Sequence, residues 1–237
     1  MLFASPLIRG RLIRRYKRFL ADIELETGET ITAHCANPGS MMAVAVADAP
    51  AFVSKSDSKT RKLPYSWELV DLGGALVAIN TSNPNKIAAE AIARRAIPEL
   101  AGYEGMRREV NYGERSRIDL LLEGGAKGAK TGPCYVEIKN VHLVRNPGLA
   151  EFPDSVTTRG AKHMAELAAL ARGGTRAVVV FVVQRGDCTR FAPAADLDPA
   201  YADALRLAAA AGVELLCYDC EVTTQEVRLR KALPIEI

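Results

Sequence analysis

Asp119, Glu137 and Lys139 are the residues whose types and spacing could do chemistry together. Asp119 stands in Arg117-Ile118-Asp119-Leu120-Leu121-Leu122, and the other two in Cys134-Tyr135-Val136-Glu137-Ile138-Lys139. Both runs are mostly apolar and flank a Gly/Ala/Lys segment, Gly124 to Gly132, so a β-hairpin is expected. Two residues apart on a strand, Glu137 and Lys139 share a face. Carboxylates converging from neighbouring strands supply the hard oxygen ligands that Mg²⁺ or Mn²⁺ prefers. Such an ion polarises a scissile phosphate and lowers the pKa of a bound water. A neighbouring ammonium orients that water or stabilises the charge that develops on the pentavalent phosphate. Burying three charges without such a role costs several kcal/mol per ion unless they are well paired. A structural ion cluster and a solvent-exposed strand face therefore stand as competing explanations.

Other arrangements offer less. His34, His142 and His163 lie in unrelated segments with no i,i+4 pair. His34 beside Cys35 lacks the partners of a cysteine nucleophile. Cys217-Tyr-Asp-Cys220 has metal-ligand spacing but no second pair to complete a zinc site. No phosphate-binding P-loop is present, and Gly124-Gly125 lacks the dinucleotide spacing.

The elements that must position the three residues follow from the pattern. Leu7 to Leu20 holds Arg9, Arg11, Arg14, Arg15, Lys17 and Arg18 without an acid, interleaved with Leu12, Ile13, Tyr16 and Phe19. This segment reads either as an edge strand whose charges discourage aggregation or as a phosphate-tracking surface with Tyr16 or Phe19 for base stacking. Alternating runs before and after Glu26-Thr27-Gly28-Glu29 form a hairpin. Further strands are expected at Ala51–Ser54, Ser66–Val70 and Ala75–Asn80, with a basic loop carrying Lys55, Lys59, Arg61 and Lys62 between the first two. Short strands with basic loops suggest a small OB-like barrel over residues 1–82. Asn83-Pro84 then starts a helix, Asn85 to Arg95, with Asn83 as N-cap. Its Glu90 is placed to pair with Arg94. A strand at Met106–Tyr112 precedes the hairpin. After it come a helix at Thr158–Arg172, a fully buried strand at Ala177–Val183, an Ala-rich helix at Pro199–Ala211 and a strand at Glu214–Tyr218. The last three make a β-α-β unit. On the first of these helices Met164, Leu167, Ala168 and Ala171 form the apolar stripe, leaving Arg159, Lys162, His163 and Glu166 to the other faces.

At 237 residues, 49% hydrophobic and 25% charged, the chain has the composition of a soluble globular protein. Its longest apolar run spans seven residues, Ala177 to Val183, far short of the roughly 20 that cross a bilayer. No membrane partner and no signal peptide are expected. A net charge of +3 does not by itself announce a polyanion partner. Five cysteines at irregular spacing argue for a reducing, cytoplasmic setting.

An acid on one strand and Glu-x-Lys on the next resembles the core of the PD-(D/E)xK nuclease superfamily, with Ile118 where that name has proline. Over essentially its whole length the chain resembles the sugar fermentation stimulation protein A family. The likeness is carried by Leu12-Ile-Arg-Arg-Tyr-Lys-Arg-Phe-Leu-Ala-Asp, His34-Cys-Ala-Asn-Pro-Gly-Ser-Met, Glu114-Arg-Ser-Arg-Ile-Asp, Tyr135-Val-Glu-Ile-Lys-Asn-Val and Phe152-Pro-Asp-Ser-Val-Thr-Thr-Arg-Gly-Ala-Lys-His. The resemblance implies an α/β (α+β overall) protein. It would have an N-terminal OB-like barrel, 1–82, and a C-terminal restriction-endonuclease-like mixed-sheet domain, 83–237. It also implies DNA binding (RNA stays open) and a bacterial role linked to sugar (maltose) utilisation. Asp119 and Glu137 would be the metal acids, Lys139 the catalytic lysine, and Glu90 the acid of the first core helix. Nucleic-acid contacts are expected from Arg9, Arg11, Arg14, Arg15, Tyr16, Lys17, Arg18, Lys59, Arg61, Lys62 and Arg117. Two functions remain: a Mg²⁺- or Mn²⁺-dependent nuclease, or a non-catalytic DNA-binding transcriptional regulator on the same scaffold. The sequence leaves the oligomeric state open, a dimer included.

Overall fold

A computed structural model describes residues 1–112, 116–125 and 132–237. The middle of the Gly/Ala/Lys segment and Glu114-Arg115 of the resemblance lie outside the described residues. In the first third of the chain, alternating apolar residues line a closed barrel. β1 (Ile8–Tyr16), β2 (Leu20–Leu25) and β3 (Thr30–His34) form an antiparallel meander. β4 (Pro50–Lys55) returns against β1, and β5 (Tyr65–Asp71) pairs with β4 and, in parallel, with β3. That last pairing closes an OB-like ring of five strands, to which β6 (Leu76–Ala78) adds along β5. Leu12, Ile23, Ile31, Val53 and Trp67 fill the interior. Gly10 lies where the strands approach most closely: a Cβ there would sit 2.6 Å from the Glu24 carbonyl oxygen. β1 is not an edge strand as the charge pattern suggests, because Gly10 faces Leu25 of β2 on one side and Ala51 of β4 on the other.

The rest of the chain wraps one mixed sheet. α1 (Pro84–Ala93) leads through a short 3₁₀ turn to β7 (Tyr103–Tyr112), β8 (Ser116–Gly125) and β9 (Cys134–Val141). β10 (Leu143–Asn146) and β11 (Leu149–Phe152) form a hairpin before α2 (Thr158–Arg172). β12 (Arg176–Val183), β13 (Arg190–Pro193), α3 (Pro199–Ala210), β14 (Glu214–Val222) and β15 (Val227–Ala232) complete the fold. The six-stranded order is β15-β14-β12-β9-β8-β7, while β13 joins β10 and β11 in a small separate sheet. β12 runs parallel to both β9 and β14 and is covered on both faces, which is why its apolar run is unbroken. Val178, Val180 and Val182 pack on the α1 side, and Val179, Phe181 and Val183 on the side of α2 and α3. Cys217 and Cys220 fall on opposite faces of β14, so they do not form a joint site. All five cysteines are buried and outside any disulfide among the described residues. Among the described residues no helix is long and apolar enough to cross a membrane.

Polar contacts join barrel and sheet. Asp154 accepts from the Met41 N–H (2.9 Å), and its carbonyl accepts from Ser40 Oγ (2.6 Å). Gly39 fits there because a Cβ would lie 2.4 Å from the Asp154 carboxylate. Glu68 of β5 accepts from Ser54 Oγ (2.8 Å) and the amides of Asn80 (2.9 Å) and Asn83 (3.5 Å). Asn83 occupies the N-cap position of α1 but does not cap it, since its side chain is turned to Glu68. At the chain start, Met1, Phe3 and Leu7 pack on the core of the sheet domain.

Candidate metal centre

β8 and β9 part at the residues that matter. Their ladder runs from Leu122↔Cys134 to Leu120↔Val136 and ends one step before Asp119 and Glu137. In place of a ladder bond, the Ile138 N–H donates to Asp119 Oδ2 at 2.7 Å. On the other side, β7 pairs Arg108↔Leu120 and Val110↔Ile118 but skips the step between, where Glu109 is left-handed at φ 54°. A non-glycine residue in that region inside a strand is uncommon. The distortion also shows in packing: Ile118 and Leu120 belong to opposite faces, although residues two apart on a regular strand share one. Asp119 thus sits at a twist in β8, and its Oδ1 accepts from the Asn85 amide of α1 at 2.8 Å.

Glu137 stays in register on β9 and faces α2. It is 3% exposed. Both of its cationic or ring partners converge on one oxygen: Lys139 Nζ donates to Oε1 at 2.7 Å and His163 Nδ1 at 2.5 Å. Arg159 Nε donates to His163 Nε2 at 3.3 Å, so Nδ1 carries the ring proton given to Glu137. Oε2 is buried and, among the described residues, accepts no hydrogen bond. A buried carboxylate oxygen without a donor is costly, unless a cation takes that place. Tyr201 Oη, close to the Glu137 charge, is likewise buried without a partner.

The two carboxyls titrate in opposite directions. Burial raises the Asp119 pKa, and the Glu137 charge adds to the rise, outweighing Ile138 N–H, Asn85 and Lys139. Burial also pushes Glu137 up, but His163 and Lys139 outweigh it and hold that carboxyl below the usual range. Neighbouring acids driven apart in this way mark functional sites in general. The free Glu137 Oε2 and the remaining lone pairs of Asp119 fit a hard divalent ion, with water or phosphate oxygens completing its shell. Among the described residues no three His, Cys, Asp or Glu side chains converge as a metal cage, so a zinc-type site is not built here.

The other expected residues are placed differently. Glu90 pairs with the Met1 ammonium at 2.8 Å and is 42% exposed. It lies five residues beyond Asn85, about 140° round the helix, so α1 gives Asp119 an amide and not an acid. The basic strand is neutralised by its neighbours: Arg9 pairs with Glu26, Arg11 with Glu24 and Asp48, and Arg14 with Asp22. Tyr16 donates to Asp22 and lies under the Arg14 guanidinium. Arg15 donates to the carbonyls of Arg18, Asn37, Gly39 and Ser40, and Arg18 to that of Pro38, so both brace loops. Arg61 donates to Ser66 Oγ, and Arg117 pairs with Glu109. Lys17, Lys59 and Lys62 make no ion pair among the described residues. His163, expected on an outer face from the stripe, is instead buried against Glu137. Its signal was present: it stands four residues before Leu167, on the edge of the apolar stripe.

Comparison with known proteins agrees with this architecture. The family model described as the SfsA N-terminal OB domain matches residues 13–79. The model described as the sugar fermentation stimulation protein RE domain matches residues 82–226. A sugar fermentation stimulation protein homolog of Maricaulis maris is 52% identical over 237 residues, covering 100% of this chain and 99% of that protein. The homolog of Geobacter sp. strain M21 is 54% identical over 235 residues, 99% of each. A solved structure of Pyrococcus furiosus SfsA in complex with Ca²⁺ superposes with a TM-score of 0.88 at 29% identity, covering 100% of this chain and 98% of that one. With both domains matched in order and relatives aligned from end to end, the chain belongs to the sugar fermentation stimulation protein family.

Proposed function

We propose that the protein is a cytoplasmic, divalent-metal-dependent nuclease that hydrolyses phosphodiester bonds, with DNA as its substrate and Mg²⁺ or Mn²⁺ as its ion. The observation that carries this reading is Glu137 Oε2, a buried carboxylate oxygen with no donor among the described residues, beside Asp119. A related protein's structure in complex with Ca²⁺ supports a divalent ion in this family. When bound, the ion would polarise the phosphate and acidify a water. His163 and Lys139 hold Oε1, which fixes the carboxylate so that Oε2 is presented. Lys139, at the same oxygen, is the ammonium placed to orient water or to meet negative charge on the phosphate. The division at residues 82 and 83, with the barrel as nucleic-acid-binding module, belongs to the same proposal.

A non-catalytic DNA-binding regulator of sugar (maltose) metabolism is the competing reading, favoured by the name its relatives carry. It gives the paired acids no task, since carboxylates repel phosphates unless a cation lies between them. Incubation of labelled DNA with Mg²⁺ or Mn²⁺ separates the two. Cleavage by wild type that is lost in both Asp119→Asn and Lys139→Ala supports the nuclease. Equal cleavage by wild type and Lys139→Ala would assign the activity to a contaminant.

A further inference from the structure

Between the barrel and the sheet domain lies a cleft of about 290 Å³, at the small end of ligand-sized cavities. One wall is the barrel loop Asn37-Pro38-Gly39, with Arg18 at the lip. The other is built from the elements that hold the candidate metal centre. Asn140 and His142 follow Lys139 along β9 and its continuation, so His142 lies about 10 Å from Lys139 at the rise of a strand. Thr157, the N-cap of α2, also lines the cleft. It precedes His163 by six residues, about 9 Å along a helix.

The polar groups in this wall are unfinished. His142 is 4% exposed. Its Nδ1 lies 3.0 Å from Asn140 Nδ2, whose amide donates to it, so the ring proton is on Nε2. Among the described residues Nε2 makes no well-aligned hydrogen bond, and its nearest partner is Asp154 Oδ2 at 3.4 Å. Asp154 Oδ2 is taken by the Met41 N–H, while Oδ1 has only the Ser155 hydroxyl at 3.4 Å. A donor and an acceptor therefore stand side by side in a cleft that Pro38 and Phe152 also line. A single nucleobase offers the complementary edge and flat faces, whereas in a base pair that edge is already engaged.

Resting on the nucleic-acid reading above, we propose that this cleft receives one unpaired nucleotide, a strand end or an extruded base, about 10 Å from the metal centre. Seating it there would set which phosphate meets Asp119 and Glu137. The substrate class is thus nucleic acid with a free or unstacked nucleotide.

The test uses the full chain in EDTA, so that no cleavage enters. Three duplexes are compared: blunt and fully paired, with a one-nucleotide overhang, and with an internal mismatch, each of the last two carrying 2-aminopurine at the unpaired position. Wild type should bind the overhang or the mismatch about tenfold tighter than the blunt duplex, the scale of one stacked base, and change its fluorescence. Tighter binding of the overhang identifies a strand end, and of the mismatch an extruded base. Val156 lines the mouth and is 74% exposed. Val156→Trp should abolish the preference and leave blunt-duplex binding within about twofold. Ser155→Phe, also at an exposed position on the mouth, stands in if the first variant does not melt cooperatively. Binding of the blunt duplex without any preference, or a preference that survives in the folded blocking variant, overturns the proposal while leaving the nuclease reading intact. Failure to bind any of the three duplexes in EDTA and again in Ca²⁺, which places a cation between the acids and the phosphates, would overturn the nucleic-acid reading itself.

Discussion

β1 and β9 both concentrate charge, and their environments could hardly differ more. Along β1, Arg9, Arg11 and Arg14 meet acids that the barrel's register delivers from β2, the turn after it or the loop before β4: Glu26, Glu24 with Asp48, and Asp22. These pairs are largely exposed, where each contributes little. On β9, Glu137 is buried with two donors crowded on one oxygen and none on the other. A charge cluster in sequence therefore says little until its partners are known. An unpartnered buried oxygen says more than a row of arginines.

The comparison breaks most sharply at Lys139. If β9 holds the reacting end of the molecule, Lys139→Ala should lower cleavage by about 10²- to 10³-fold, measured as initial rate on labelled DNA in Mn²⁺. Arg9→Ala, which removes half of an exposed pair on β1, should change that rate by less than about twofold. Comparable losses in the two variants would erase the distinction.

A second test addresses His163 as a positioning residue. Its Nδ1 donates to Glu137 Oε1 and leaves Oε2 to a ligand. Removing such a support costs about 10- to 100-fold in metal affinity, so His163→Ala should weaken Mn²⁺ binding on that scale in a calorimetric titration. His163→Asn retains a donor and should recover part of the loss. Unchanged affinity in His163→Ala would make the contact purely structural.

How much of this was legible follows from how local each signal is. β12 was readable because burial on both faces leaves no polar residue in its run. The Glu137/Lys139 pair was readable because a period of two fixes a face. The acids opposite β1 were not, since Glu24 and Asp48 reach Arg11 only through the barrel's pairing. Glu90 misled for a similar reason: helical spacing places it on a face but does not say which element that face meets, and the chain start occupies it. β10, β11 and β13 are four residues each and too short to show a period. The twist at Asp119 depends on Glu109 in a neighbouring strand, which no local pattern announces.

The barrel's own contribution to binding can be sharpened with its unpaired cations. Lys17, Lys59 and Lys62 make no ion pair among the described residues, unlike Arg9, Arg11 and Arg14. Where a lysine meets a phosphate, replacing it by Ala should reduce the slope of log K against log[salt] by about 0.7–0.9. The paired arginines should change it by less. A slope unaffected by all three lysine variants would move the DNA away from this side of the barrel.

The smallest effects lie in the pH dependence of stability, where the two regions should differ in sign. Burial pushes Asp22 up, but Arg14, Thr32 and Tyr16 outweigh it, so its folded pKa lies below its unfolded value of about 3.9. Its stabilisation is complete above about pH 4 and disappears as pH falls through the lower folded value. With an exposed arginine as partner, this amounts to less than about 1 kcal/mol. Asp119 is shifted upward by burial and by Glu137. Between about pH 3.9 and its raised value the native state holds a proton that the unfolded chain has released, so stability declines as pH rises through that window. In metal-free urea titrations Asp22→Asn should flatten the acid limb below pH 4, and Asp119→Asn should remove the decline above it. If both variants altered the same limb in the same direction, the two carboxylates would share one kind of environment. The contrast between β1 and the metal centre would then fail at its most basic level.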